Sequence, residues 1–130
     1  MYIKANPNPL QKSNGDCVIR AISILLDKTW DEVYTELCVY GYMYKNWGNA
    51  NEIWDAYLKD LNYQRKIIPD TCPICYTVRD FCKDNPSGHY LLATGTHVIA
   101  CIDGCYIDSW DSGFENPIFY YEENHFKERK

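Results

Sequence analysis

The stretch His97-Val98-Ile99-Ala100-Cys101-Ile102-Asp103-Gly104-Cys105-Tyr106-Ile107-Asp108-Ser109-Trp110 reads as a β-hairpin. Two largely apolar runs flank Asp103-Gly104, a dipeptide suited to the positive φ angles of a tight two-residue turn. Counting outward from that turn sets Ile102 against Cys105, Ile99 against Asp108 and His97 against Trp110. Asp108 then lies two residues along from His97 on one face of the sheet. One short turn is therefore expected to bring a histidine and an acid together.

Further strands are expected at residues 90–93 and 118–121, after the turn signal Asn85-Pro86-Ser87-Gly88. Upstream the apolar period changes. Val18, Ala21, Ile22 and Leu25 recur at helical spacing after the Asn14-Gly15 turn, with Asp16 suited to cap the first turn. Thr29 and Glu32 have capping-box spacing ahead of Trp30, Val33, Tyr34 and Leu37, and Gly41 is expected to end that helix. A third helix is expected over about 51–61, a strand over 64–68, and a short helix capped by Thr77. Residues 1–14 read as a polar lead-in and 40–48 as a packed aromatic loop. The whole is an α+β pattern in one domain, 1–130, with a helical part at about 16–84 and an antiparallel sheet at about 88–121.

Composition narrows the function. The 130 residues can bury a core without staples, and 46% hydrophobic with 24% charged residues fits a globular chain. A net charge of −5 without a basic stripe argues against nucleic-acid binding. No apolar run reaches the ~18 residues of a membrane span, and no signal-type apolar segment stands near Met1, so the expected location is the cytoplasm. In that setting the seven cysteines are expected to be free thiols.

Cys17 stands out among them because it follows a glycine turn and opens a helix. Unpaired amides and the helix dipole favour an anion there, and the thiolate is the nucleophilic form of cysteine. His97 is the expected base and Asp108 the group that orients it. His89 and His125 lack a hairpin-linked acid, Asp103 is more simply a turn residue, and Asp111 lies beyond Trp110. Cys72-Pro73-Ile74-Cys75 could serve thiol exchange or half a zinc site, with Cys101 and Cys105, or Cys82 or His89, completing it; simple loop and core thiols are the preferred reading. Tyr40, Tyr42, Tyr44 and Trp47 could line a substrate cleft or meet a partner, though a packed connector is slightly preferred.

Taken in order, Gln11, Cys17, His97 and Asp108-Ser109-Trp110 resemble the papain-like cysteine peptidases, especially compact bacterial and phage-associated members loosely called C39-like. The resemblance implies that Gln11, six positions before the nucleophile, donates to the oxyanion hole. It also implies that Trp110 shields the histidine–acid contact from water. Val18 stands where papain commonly has tryptophan, and Asp108 where papain has asparagine. The implied activity is that of a peptidase or isopeptidase acting through a thioester on a peptide or protein substrate, with no metal or organic cofactor. A papain-like binding domain with little hydrolysis, and a deamidase or transglutaminase built on the same residues, are the alternatives.

Overall fold

The computed structural model describes residues 1–12, 15–69 and 75–123. They form α+β architecture: β1 (Tyr2–Lys4), α1 (Cys17–Leu26), α2 (Trp30–Tyr44), α3 (Asn51–Asp60), β2 (Tyr63–Ile67), α4 (Val78–Asp84), β3 (His89–Ala93), β4 (Val98–Ile102), β5 (Cys105–Asp108) and β6 (Phe119–Glu123). The strands make one sheet in the order β1-β5-β4-β3-β6-β2.

The alternation of β3 and β4 builds three layers. Leu91, Ala93, Val98 and Ala100 turn to one face and join Val18, Ala21, Ile22 and Leu25 of α1, with Val33, Leu37, Trp54 and Leu58 of α2 and α3 behind them. Leu92, Ile99, Cys101 and Tyr106 turn to the other face, against Val78, Phe81 and Cys82 of α4. Both α2 and α4 begin in the expected way, each with a reciprocal capping box, Thr29 with Glu32 and Thr77 with Asp80. The Asp103-Gly104 turn has both φ angles positive, and the register Ile102↔Cys105, Cys101↔Tyr106, Ala100↔Ile107 is the one counted from the sequence.

The strand expected over 64–68 is β2, which pairs antiparallel with β6. Three expectations are corrected. The sheet is mixed, not antiparallel, because the lead-in contains β1, which pairs parallel with β5 in the register Tyr2↔Tyr106 to Lys4↔Asp108. The strand expected to run to Trp110 stops at Asp108, because that side chain accepts the Ser109 N–H at 2.8 Å and bends the chain. Finally, α2 passes through Gly41 and ends at Tyr44, so Tyr40, Tyr42 and Tyr44 are helical.

Gly41 works by smallness, not by breaking the helix. A Cβ there would lie 2.5 Å from the Asn46 carbonyl oxygen and 3.0 Å from the Gly48 nitrogen, where the following loop folds back on the helix. The Asn46 N–H donates to the Gly41 carbonyl at 2.9 Å. In an open helix Gly→Ala gains about 1 kcal/mol. Here overpacking against immobile backbone, worth about 1–3 kcal/mol, reverses the sign. Gly41→Ala is expected to lower the denaturant midpoint, with a net loss of about 1–2 kcal/mol on equilibrium unfolding.

Candidate active site

Three elements meet at Cys17. The sulfur opens α1, whose buried stripe packs on β4, so the helix tip is held at the end of that strand. His97 lies one residue ahead of β4, in the connection from β3. There Thr94 fixes the backbone: its Oγ1 accepts the His97 N–H at 2.9 Å, and its N–H donates to the His97 carbonyl at 2.8 Å. Standing outside the strand, His97 escapes the pleat that sends Ile99 and Cys101 away from α1.

The His97 Nε2 lies 2.6 Å from Oδ2 of the buried Asp108, with His97 itself partly buried. That contact leaves Nδ1 as the ring nitrogen available to Cys17, whose thiol and the His97 ring shift each other's titration. Asp108 is itself held by the Ser112 hydroxyl, which donates to Oδ2 at 2.8 Å, and by the Ser109 N–H on Oδ1. Trp110 stacks on the His97 ring, centroids 5.0 Å apart. It reaches the ring from the bend after β5, not as the strand partner that simple register suggests.

Burial opposes charge on both reacting groups, and the hydrogen bonds overcome it. For Cys17, desolvation raises the thiol. The bonds from His97 and the Val98 backbone, with the positive charges of His97 and Arg20, bring it below its ordinary value. For His97, desolvation lowers the ring. The bonds to Asp108 and Cys17 lift it to about 9. Both directions, the thiol down and the ring up, favour a thiolate–imidazolium pair.

Asp16 does not cap α1 as expected. Its carboxylate turns away into a buried network: Oδ1 pairs with Arg20 Nη1 at 2.7 Å, and Oδ2 accepts Asn8 Nδ2 and Trp30 Nε1, each at 3.0 Å. The acid beside Cys17 is thereby paired with a cation, and Asp16 makes no side-chain bond to the first-turn amides. Gln11 is exposed, with φ 56°, and its Nε2 donates to the Asn6 and Asn8 carbonyls, both at 3.0 Å. Both amide hydrogens are thus engaged in the loop, and Gln11 is not gathered with Cys17, His97 and Asp108.

Sequence reasoning missed Arg20 and Ser112. Arg20 was detectable as a cation among apolar residues, four positions after an acid. Ser112 carries no such signal. The residue after it, Gly113, lies where a Cβ would fall 2.2 Å from the Tyr106 hydroxyl. The competing residues lie elsewhere. His89 is exposed at the start of β3, Asp103 accepts the Gly88 N–H in its turn, and Asp111 accepts from Tyr106. Cys82 and Cys101 form a buried thiol pair, sulfurs 2.7 Å apart, on the face away from α1. Cys72 and His125 lie outside the described residues. Among those described, no group of three or more His, Cys, Asp or Glu is placed to hold a metal ion, and no helix is long and apolar enough to cross a membrane.

No protein-family model, curated protein or solved structure matches the chain. The chemistry of the site therefore rests on its own geometry. Iodoacetamide at pH 6–7 is expected to label Cys17 faster than the exposed Cys38 and Cys75, and His97→Ala should erase that preference, read by peptide mass mapping. Arg20→Met should leave Asp16 buried without its cation. We expect a loss of about 3 kcal/mol in unfolding free energy, and a Cys17 labelling profile displaced to higher pH.

Proposed function

We propose that the chain is a cysteine-dependent acyl hydrolase of papain-like type, a peptidase or isopeptidase of the cytoplasm. What supports this reading is the short contact of His97 with buried Asp108 together with the mutual titration shifts of His97 and half-buried Cys17, an acid, ring and thiol in orienter–base–nucleophile order.

The Cys17 thiolate attacks the scissile carbonyl carbon, and the carbonyl electron pair moves onto oxygen. The Cys17 N–H at the uncapped start of α1 donates to that oxyanion. Gln11 is the second donor of the proposal and must release one of its loop carbonyls to serve. Collapse expels the amine, which takes the His97 Nδ1 proton, and leaves an acyl thioester on Cys17. His97, now neutral, removes a proton from water as that water attacks the thioester. The acid departs and the thiolate–imidazolium pair returns. Throughout, Nε2–H remains on Asp108, which orients the ring and offsets its charge.

The pH dependence follows in sign. Below the depressed Cys17 pKa the sulfur holds its proton and the rate falls. Above about 9, His97 has lost the proton that the leaving amine needs, and the rate falls again. A bell-shaped kcat/KM profile is expected, its alkaline limb near 9, with Asp108→Asn drawing that limb downward.

The decisive experiment incubates the chain with a peptide library and traps the acyl-enzyme by acid quench. A mass increment on Cys17, absent from Cys17→Ala, is the expected result. Failure to find any adduct while Cys17 still alkylates selectively would favour a binding role for the scaffold. Gln11→Ala is expected to cut kcat about 100-fold, the scale of one lost oxyanion donor, while leaving the rate of iodoacetamide labelling at Cys17 in place.

A further inference from the structure

Two thiols that the hydrolytic cycle does not use face each other across the sheet from α1. Cys82 comes from α4 and Cys101 from β4, nineteen positions apart in the chain, and their sulfurs lie 2.7 Å apart. Cys82 is 2% exposed and Cys101 0%. Val78, Phe81, Leu92, Ile99 and Tyr106 enclose the pair.

The backbone sets this approach. The hairpin turn closes on the end of α4: a Cβ on Gly104 would meet the Cys82 carbonyl oxygen at 3.4 Å and the Pro86 Cα at 3.3 Å. The start of α4 is tied to the loop after β5. There the Val78 N–H donates to the Glu115 carbonyl and the Arg79 N–H to the Gly113 carbonyl, both at 2.9 Å. Fixed at both ends, the helix holds Cys82 over Cys101. Bonded sulfurs lie about 2.05 Å apart, so closing a bond here takes a fraction of an ångström.

The two thiols are unequal. The hydrogen bond from Cys101 outweighs burial and lowers the Cys82 thiol, while the same contact, with burial, pushes Cys101 up. Cys82 is therefore the sulfur that ionises first, and Cys101 the one placed to resolve it. Enclosure selects a small oxidant: a bulky disulfide would need α4 displaced, whereas local opening of a seven-residue helix admits peroxide. We propose that Cys82 and Cys101 form a reversible redox site, a dithiol that hydrogen peroxide converts to a disulfide stapling α4 to β4. The Cys82 thiolate attacks one peroxide oxygen, the O–O bond breaks, and the departing hydroxide takes up the proton Cys82 gave up. The Cys101 sulfur then attacks the Cys82 sulfenic acid, whose hydroxyl leaves as a second water with the Cys101 proton. Two thiols lose two electrons and two protons, and the peroxide is reduced to two waters. The cross-link stabilises the fold by restricting the unfolded chain.

The test treats the full chain with hydrogen peroxide, caps remaining thiols with N-ethylmaleimide in urea, and maps peptides without reduction. The expected result is a linked pair of peptides carrying Cys82 and Cys101, lighter by two hydrogens than the two thiol peptides together and separated by dithiothreitol. The oxidised chain should unfold in urea with an equilibrium constant about 100-fold smaller than the reduced chain, the scale for a loop of this length. Cys82→Ala and Cys101→Ala should each abolish that difference. Recovery of both residues as maleimide adducts once Cys17 is oxidised, or linkage of either to another cysteine, would overturn the proposal. So would equal stability of the oxidised and reduced chains, or a gain that persists in the Ala variants. If neither variant folds, the linkage map and the stability of the unmodified chain decide alone.

Discussion

The site depends on the packing of α1 against β4. Val18, Ala21, Ile22 and Leu25 are buried on Val98 and Ala100, and this contact fixes where the first helical residue ends up. Each fully buried aliphatic side chain contributes about 1.5–3 kcal/mol, so the helix cannot slide or rotate without forfeiting several such terms. Cys17 is thus positioned by hydrophobic burial a turn or more away, and its polar contacts add to a placement already made. His97 is positioned independently, by the Thr94 turn between β3 and β4. Two stiff elements, one helix and one hairpin, converge on the gap between sulfur and ring.

Charge in that gap would be unfavourable without its surroundings. A buried imidazolium needs a partner, and a buried carboxylate needs its lone pairs filled. Asp108 meets the first need through Nε2, and Ser109 and Ser112 meet the second. Trp110 covers the ring, and a drier contact is electrostatically stronger. The bend at Asp108 links these features. By capturing the Ser109 N–H, the carboxylate ends β5, frees Trp110 to swing onto His97 and brings Ser112 back beneath itself. One side chain shapes the loop that then holds it.

Signals confined to a few neighbouring residues were the legible ones. The Asp103-Gly104 turn, the Thr29/Glu32 box, the Thr77 cap and the apolar stripe of α1 depend on local spacing, and they place Cys17, His97 and Asp108 on the right elements. Features made by distant contacts were not legible. β1 is three residues long and has no alternation worth counting; it exists because Met1 to Ala5 find the open edge of β5. Gly41 looks like a terminator in sequence and becomes a packing position only when residues 46–48 return to it. Asp16 looks like a cap, but Arg20, Asn8 and Trp30 compete for its oxygens and together outbid one N–H at the helix start.

That competition matters for the chemistry. A free carboxylate next to Cys17 would oppose the thiolate, and an acid capping the first turn would fill the amides an oxyanion needs. Turning Asp16 into the Arg20 network removes both objections at once. The same network reaches the lead-in through Asn8, whose carbonyl holds Gln11 and whose amide holds Asp16. The loop carrying Gln11 and the helix opened by Cys17 are therefore joined through one asparagine.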